Sequence, residues 1–170
     1  IGREGYGSDI DFAKAVVEAT LIRTFNNVHR ITIRGEAGVI KTNSFDEVPT
    51  SLRFYAGGDK SVRGFDYREI SPTAEVIDPE TGELIVDSIG GKYLATSSVE
   101  YAYQVADNWR VAAFVDAGTA TNDTSTTLTY SVGPGVHWLS PIGPVRLYVA
   151  RGFAPDENTW QLHILLGPEL

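Results

Sequence analysis

Hydrophobic and polar residues alternate with a period of two along most of this chain. Between Tyr93 and Val105 the odd positions read Tyr93, Ala95, Ser97, Val99, Tyr101, Tyr103 and Val105, and the even ones read Leu94, Thr96, Ser98, Glu100, Ala102 and Gln104. Such alternation sends successive side chains to opposite faces of a strand. The same reading predicts seven strands: Phe12 to Phe25, His29 to Ile40, Tyr93 to Val105, Trp109 to Gly118, Tyr130 to Trp138, Val145 to Val149 and Trp160 to Leu166. Short turns rich in Asn, Asp, Pro and Gly join three pairs of them, at Asn26-Asn27, Ala106–Asn108 and Pro141–Pro144. Long connections, residues 41–92, 119–129 and 151–159, alternate with these. An up-and-down barrel with one plain rim and one rim of surface loops has this rhythm.

The two faces differ in kind. Tyr93, Tyr101, Tyr103, Trp109, Tyr130, Trp138 and Trp160 share the apolar face and fall near strand ends, as an interfacial aromatic girdle would. The opposite face carries Glu18, Arg30, Arg34, Glu36, Glu100, Asp116, Arg146 and His163. A soluble β-sandwich explains the alternation equally well but gives so many charges no place in its core; a wet lumen does. The expected fold is therefore all-β, an antiparallel up-and-down transmembrane β-barrel segment.

Composition narrows the chemistry. The chain has 170 residues, 42% hydrophobic and 21% charged, with no Cys and no Met. This length suits one folded unit, and the absence of Cys removes disulfides and thiolate catalysis. Its longest run of hydrophobic residues, Val111 to Val115, falls far short of the ~20 residues of a membrane-crossing helix. With 14 Lys and Arg against 22 Asp and Glu there is no basic stripe for phosphates, so no nucleic-acid partner is expected. An Ile at position 1 and no Met anywhere fit a processed protein or a fragment.

The segment from Thr42 to Gly91 is long for a structureless connection, which points to function. Within it Asp78-Pro79-Glu80-Thr81-Gly82 reads as a hairpin tip. Gly57-Gly58-Asp59-Lys60-Ser61 lacks the spacing and the strand-loop-helix setting of a phosphate loop. His29, His137 and His163 lie on three different strands without a second ligand at metal spacing. Carboxylate pairs such as Asp9 and Asp11 sit in turn-like surroundings, and there is no GxSxG or Ser/His/Asp set. Neither an enzyme nor a metal site is expected.

Five stretches carry more than generic pattern: LRFYAGGDKSVRGFDY (Leu52 to Tyr67), Phe114-Val115-Asp116-Ala117-Gly118, VGPGVHWLSPIGPVRL (Val132 to Leu147), the closing LGPEL (Leu166 to Leu170), and within the first of them Val62-Arg63-Gly64-Phe65. Together they resemble the outer-membrane assembly barrels of the BamA and TamA type, and the GGDKSVRGF and LGPEL forms look most like the TamA branch. The resemblance covers nearly the whole chain. It implies a barrel of about 16 strands, of which residues 1–170 would be the C-terminal half, about seven strands with one long lumen-docking loop, residues 42–91. The loop tip, Val62, Arg63, Gly64 and Phe65, would pair with acidic residues of the inner wall. Parity supplies the partners independently, since Glu100 and Asp116 face the lumen on adjacent strands and Arg can clamp carboxylates in a two-pronged way.

The resemblance further implies an outer-membrane insertion or translocation factor without a cofactor, located in the bacterial outer membrane, whose clients are outer-membrane proteins, autotransporters among them. An inner-membrane partner of TamB type would be reached through periplasmic domains that this sequence does not contain. Trp160, Leu162, Ile164 and Leu166 would form one lip of a lateral seam. The competing class is a passive secretion pore, such as a two-partner secretion transporter or the barrel of a surface-antigen lipase. Taken alone, a seven-stranded sheet with two open edges should associate with further copies.

Overall fold

The computed structural model describes residues 11–77, 82–123, 128–155 and 158–167. Asp9, the hairpin tip at 78–81 and the end of the closing motif, Pro168 to Leu170, lie outside the described residues. The chain forms β1 (Phe12–Phe25), β2 (His29–Thr42), β3 (Thr73–Ile77), β4 (Leu84–Ser88), β5 (Tyr93–Ala106), β6 (Trp109–Thr121), β7 (Thr129–Ser140), β8 (Gly143–Phe153) and β9 (Asn158–Leu166). Among the described residues there is no α-helix, only the single 3-10 turns Phe45–Glu47 and Thr50–Leu52.

Seven strands make one antiparallel sheet in the order β1-β2-β5-β6-β7-β8-β9, while β3 and β4 pair with each other. Each strand of the large sheet is joined to its neighbour in sequence, apart from the β2-to-β5 connection that carries the small hairpin. Turn chemistry explains the tightest link: Asn26 and Asn27 both have left-handed φ, 50° and 60°, which Asn tolerates, and the Val28 N–H closes the turn on the Phe25 carbonyl at 3.2 Å. Phe25 then faces His29 across the ladder.

The predicted strands all form, with ends that move by one to four residues in all but the first, and two strands are added. The strand read as Val145–Val149 runs from Gly143 to Phe153, so the preceding turn shrinks to Pro141-Ile142. Arg151 and Gly152 break the apolar rhythm, but the ladder to β9 continues through both, Arg151 opposite Trp160 and Gly152 opposite Thr159. The long connection is not structureless: β3 and β4 pair from Thr73–Ser88 to Ile77–Leu84.

Facing follows the period of two. Val99, Tyr101, Val111, Val115, Val136, Leu147 and Leu162 lie on the exposed side, while Glu100 and Asp116 are buried and Arg146 and His163 half-buried on the other. The exposed side is a continuous apolar surface, which in water would be a liability and in lipid is a requirement. The β2–β5 connection fills the inner side. Its Val48, Phe54 and Ala56 pack against Ile40 of β2, Leu94 of β5 and Ala120 of β6 to form the larger apolar cluster. Backbone bonds stitch the connection down, Phe54 and Gly91 exchanging N–H···O bonds of 2.9 and 2.7 Å. β1 and β9 are the edges of the sheet.

Candidate functional site

The loop reaches the middle of the sheet's inner face through a compact turn. Gly57 and Gly58 take positive φ, the Ser61 hydroxyl accepts from the Gly57 N–H at 3.2 Å, and Gly58 N–H donates to Phe65 at 3.0 Å. Phe65 N–H closes on the Val62 carbonyl at 3.2 Å. These bonds satisfy the turn's own backbone, so the tip can leave water. Val62, Arg63, Gly64 and Phe65 are all buried.

Arg63 is the centre of the site, 1% exposed, against Asp116 at 0% and Glu100 at 6%. Its Nε and Nη2 donate to the two oxygens of Asp116, both at 2.8 Å, a two-pronged clamp, and its backbone N–H donates to Asp116 Oδ2 at 3.0 Å. Nη1 donates to Glu100 Oε2 at 2.6 Å, and Nη2 also reaches the Ser98 hydroxyl at 3.1 Å. The guanidinium carbon lies 3.5 Å from the ring centre of Phe114 and 4.7 Å from that of Tyr148. Burial opposes the cation, but the hydrogen bonds and charges of Asp116, and then of Glu100, more than offset it and hold the Arg63 pKa above its ordinary value. A buried charge is tolerable only when paired and hydrogen-bonded, as this one is.

Gly64 is demanded by space. A Cβ there would lie 2.4 Å from the Cα of Gly152 on β8 and 2.6 Å from the Ser131 side chain on β7. The tip's carbonyls are bound from the edge strand: His163 Nε2 donates to the Arg63 carbonyl and the Thr159 hydroxyl to the Gly64 carbonyl. One four-residue tip therefore touches β5, β6, β7, β8 and β9. A further layer surrounds Glu100, whose Oε1 is 3.4 Å from His137 Nε2, itself 2.9 Å from the Tyr148 hydroxyl. Beside the tip is a cavity of about 340 Å3 bounded by Thr20 of β1, Arg34 of β2, Lys60, Arg146 and Leu165. Thr20 and Leu165 come from the two edge strands, so the sheet curls around the loop.

The structure brings together the tip and both acidic residues singled out from sequence. Trp160, Leu162, Ile164 and Leu166 lie outward on β9, which among the described residues pairs with β8 alone. His163 and Thr159 as loop ligands were not anticipated, since a backbone carbonyl leaves no mark in sequence. Phe114 could have been found: a lone aromatic on the charged parity of its strand is a platform for a cation. No group of three His, Asp or Glu among the described residues is placed to hold a metal, and the three histidines bind Tyr101, Tyr148 and the Arg63 carbonyl separately.

Comparison with known proteins gives this geometry a family. The Omp85 superfamily domain matches residues 2–167. The chain is 35% identical over 159 residues to the outer membrane protein assembly factor BamA of Nitratidesulfovibrio vulgaris, covering 89% of this chain and 19% of that protein. Against the BamA of Neisseria meningitidis it is 29% identical over 197 residues, covering 95% and 24%. Among solved structures, BamA from Haemophilus ducreyi lacking POTRA domains 1–3 superposes with a TM-score of 0.75 at 23% identity, over 94% of this chain and 35% of that one. The chain thus spans about a fifth of the length of the first of these curated relatives. A curled antiparallel sheet with an apolar outer surface, a charged inner one and a match over nearly its full length make this chain a member of the Omp85 superfamily of bacterial outer-membrane proteins.

Proposed function

We propose that this chain is the C-terminal part of the barrel of an outer-membrane protein insertion and translocation factor. The observation that carries the reading is the tie between the docked loop and the open edge: Arg63 is clamped by Asp116 and Glu100, while the carbonyls of Arg63 and Gly64 are held by His163 and Thr159 of β9. Among the described residues no strand pairs with the outer edge of β9, and in hydrocarbon the N–H and C=O groups of such an edge have no water to bond. A client strand adding to that edge satisfies them, so the edge acts as a template for strand addition. The loop supports the edge from inside the lumen and keeps it extended while its lipid-facing lip, Trp160, Leu162, Ile164 and Leu166, stays in the apolar phase. A passive pore fits less well, because the loop tip occupies the lumen.

Within this reading, the GGDKSVRGF and LGPEL forms favour a TamA-like factor serving autotransporters with an inner-membrane TamB-type partner, whereas the relatives described above bear the BamA name. Co-purification of the intact parent with a TamB-type protein separates the two. The shared core of the proposal has its own test. A photo-crosslinking residue in place of Ile164 of the intact parent should capture client β-strands during assembly, and one at Val115, in the middle of the sheet, should not. Absence of client adducts at Ile164 under active assembly overturns the edge mechanism.

A further inference from the structure

The outward surface of β5 to β9 carries a single charged residue, Arg151, opposite Trp160 in the ladder. Its guanidinium carbon lies 5.2 Å from the ring centre of Phe153 and 5.4 Å from that of Trp160, and Phe153 in turn stacks on Tyr130 at 5.4 Å. Among the described residues its partners are these rings, not a carboxylate. The opposite rim is built differently. There Trp109 stacks on Trp138 at 5.8 Å and His29 lies against Tyr101 and Tyr103, and no Lys or Arg of the described residues covers those rings. Among the described residues, cations over outward rings occur only at the rim of long connections, where Lys92 also sits 5.8 Å from Tyr93.

An arginine on a lipid-facing surface is costly within hydrocarbon and settles where its head meets the headgroup layer. Here two rings flank the guanidinium at 5.2 and 5.4 Å, one along the strand and one across the ladder, and its N–H groups remain hydrogen-bond donors. The planar fork of a guanidinium matches phosphate oxygens in pairs. Apolar neighbours Val132, Val149 and Leu162 supply the surface against which acyl chains lie. The geometry points to a binding site for the phosphorylated headgroup of a membrane lipid, formed by Arg151, Phe153, Trp160 and Tyr130 in the leaflet on the long-loop side. It would place one bound lipid directly beside the open edge of β9.

The test uses the intact parent protein in detergent micelles, titrated with phosphatidic acid, with phosphatidylcholine or with inorganic phosphate, and lipid adducts counted by native mass spectrometry. Arg151→Gln should weaken the tightest phosphatidic acid adduct about tenfold, Arg151→Lys should weaken it less because the charge remains, and Arg23→Gln, on the outward parity at the other rim, should leave it unchanged. Protease resistance of the docked loop confirms that each variant is folded. The assignment is overturned by equal phosphatidic acid binding in Arg151→Gln, by an equal loss of phosphatidylcholine, which would make the site a ring-and-acyl contact, or by displacement of the lipid with millimolar inorganic phosphate, which would make it an anion site indifferent to lipid.

Discussion

The connection between β2 and β5 carries two short motifs in opposite surroundings. Val62 to Phe65 is buried on the inner face of the sheet, whereas the β3–β4 hairpin holds Ile77, Leu84 and Val86 at 69%, 70% and 71% exposure. Hydrophobicity alone would have ranked them the other way, since the buried tip contains an arginine and the exposed hairpin a run of Ile, Leu and Val. What separates them is satisfaction of polar groups. The tip enters because Asp116 and Glu100 neutralise its cation, Gly152 leaves room for Gly64, and His163 and Thr159 donate to its carbonyls. Among the described residues the hairpin is a two-stranded ladder without a third strand, an arrangement with little stability of its own.

Removing the ion cluster breaks the contrast most strongly. In the intact parent, Arg63→Ala leaves two buried carboxylates without their cation and should destabilise the docked state by about 3–5 kcal/mol, seen as protease cleavage near the tip; unaltered cleavage would mean that the apolar contacts of Val62 and Phe65 suffice. Gly64→Ala preserves every charge but forces a Cβ against Gly152, and the expected loss is roughly 1–3 kcal/mol by denaturant titration. His163→Ala removes one bond to a backbone carbonyl, on the order of 1 kcal/mol; faster amide exchange in β9 with the Arg63 clamp intact would place its effect at the edge. In the hairpin, Leu84→Ser or Val86→Ser should change stability by no more than about 0.5 kcal/mol. A loss comparable to that of Gly64→Ala would reveal a covering partner for the hairpin.

Facing supplies a further check. A spin label at Val115 should be reached by a lipid-soluble relaxation agent, and one at Asp116, the next residue, should not, because one step along a strand reverses the face. Equal accessibility would remove the lipid-facing assignment of the outer surface.

Much of this was legible in the sequence, and for a definable reason. The tip and its acidic partners could be named because the motif at Val62–Phe65 is distinctive and because parity puts Glu100 and Asp116 on the inner face. The tie to the edge strand was not legible. Arg63 and His163 are 100 residues apart, and a histidine that donates to a carbonyl looks in sequence like any half-buried histidine. Arg151 is hidden in the sequence for a similar reason, since it interrupts an apolar rhythm and so shortens the strand that the alternation predicts, while its ring partners lie on β8 and β9 together.

The alternation of side chains by itself determined the seven long strands, their facing and the division into an apolar outer and a charged inner surface, because in a strand the backbone sends neighbouring side chains to opposite sides whatever else the chain does. Only the tertiary structure decided how Asp116 and Glu100 divide the donors of Arg63 between them, why Phe114 lies on the charged side, and that one loop tip binds five strands at once. Those outcomes depend on groups brought together by sheet curvature and close backbone approach, and contacts between residues so far apart in the chain have no local period to announce them.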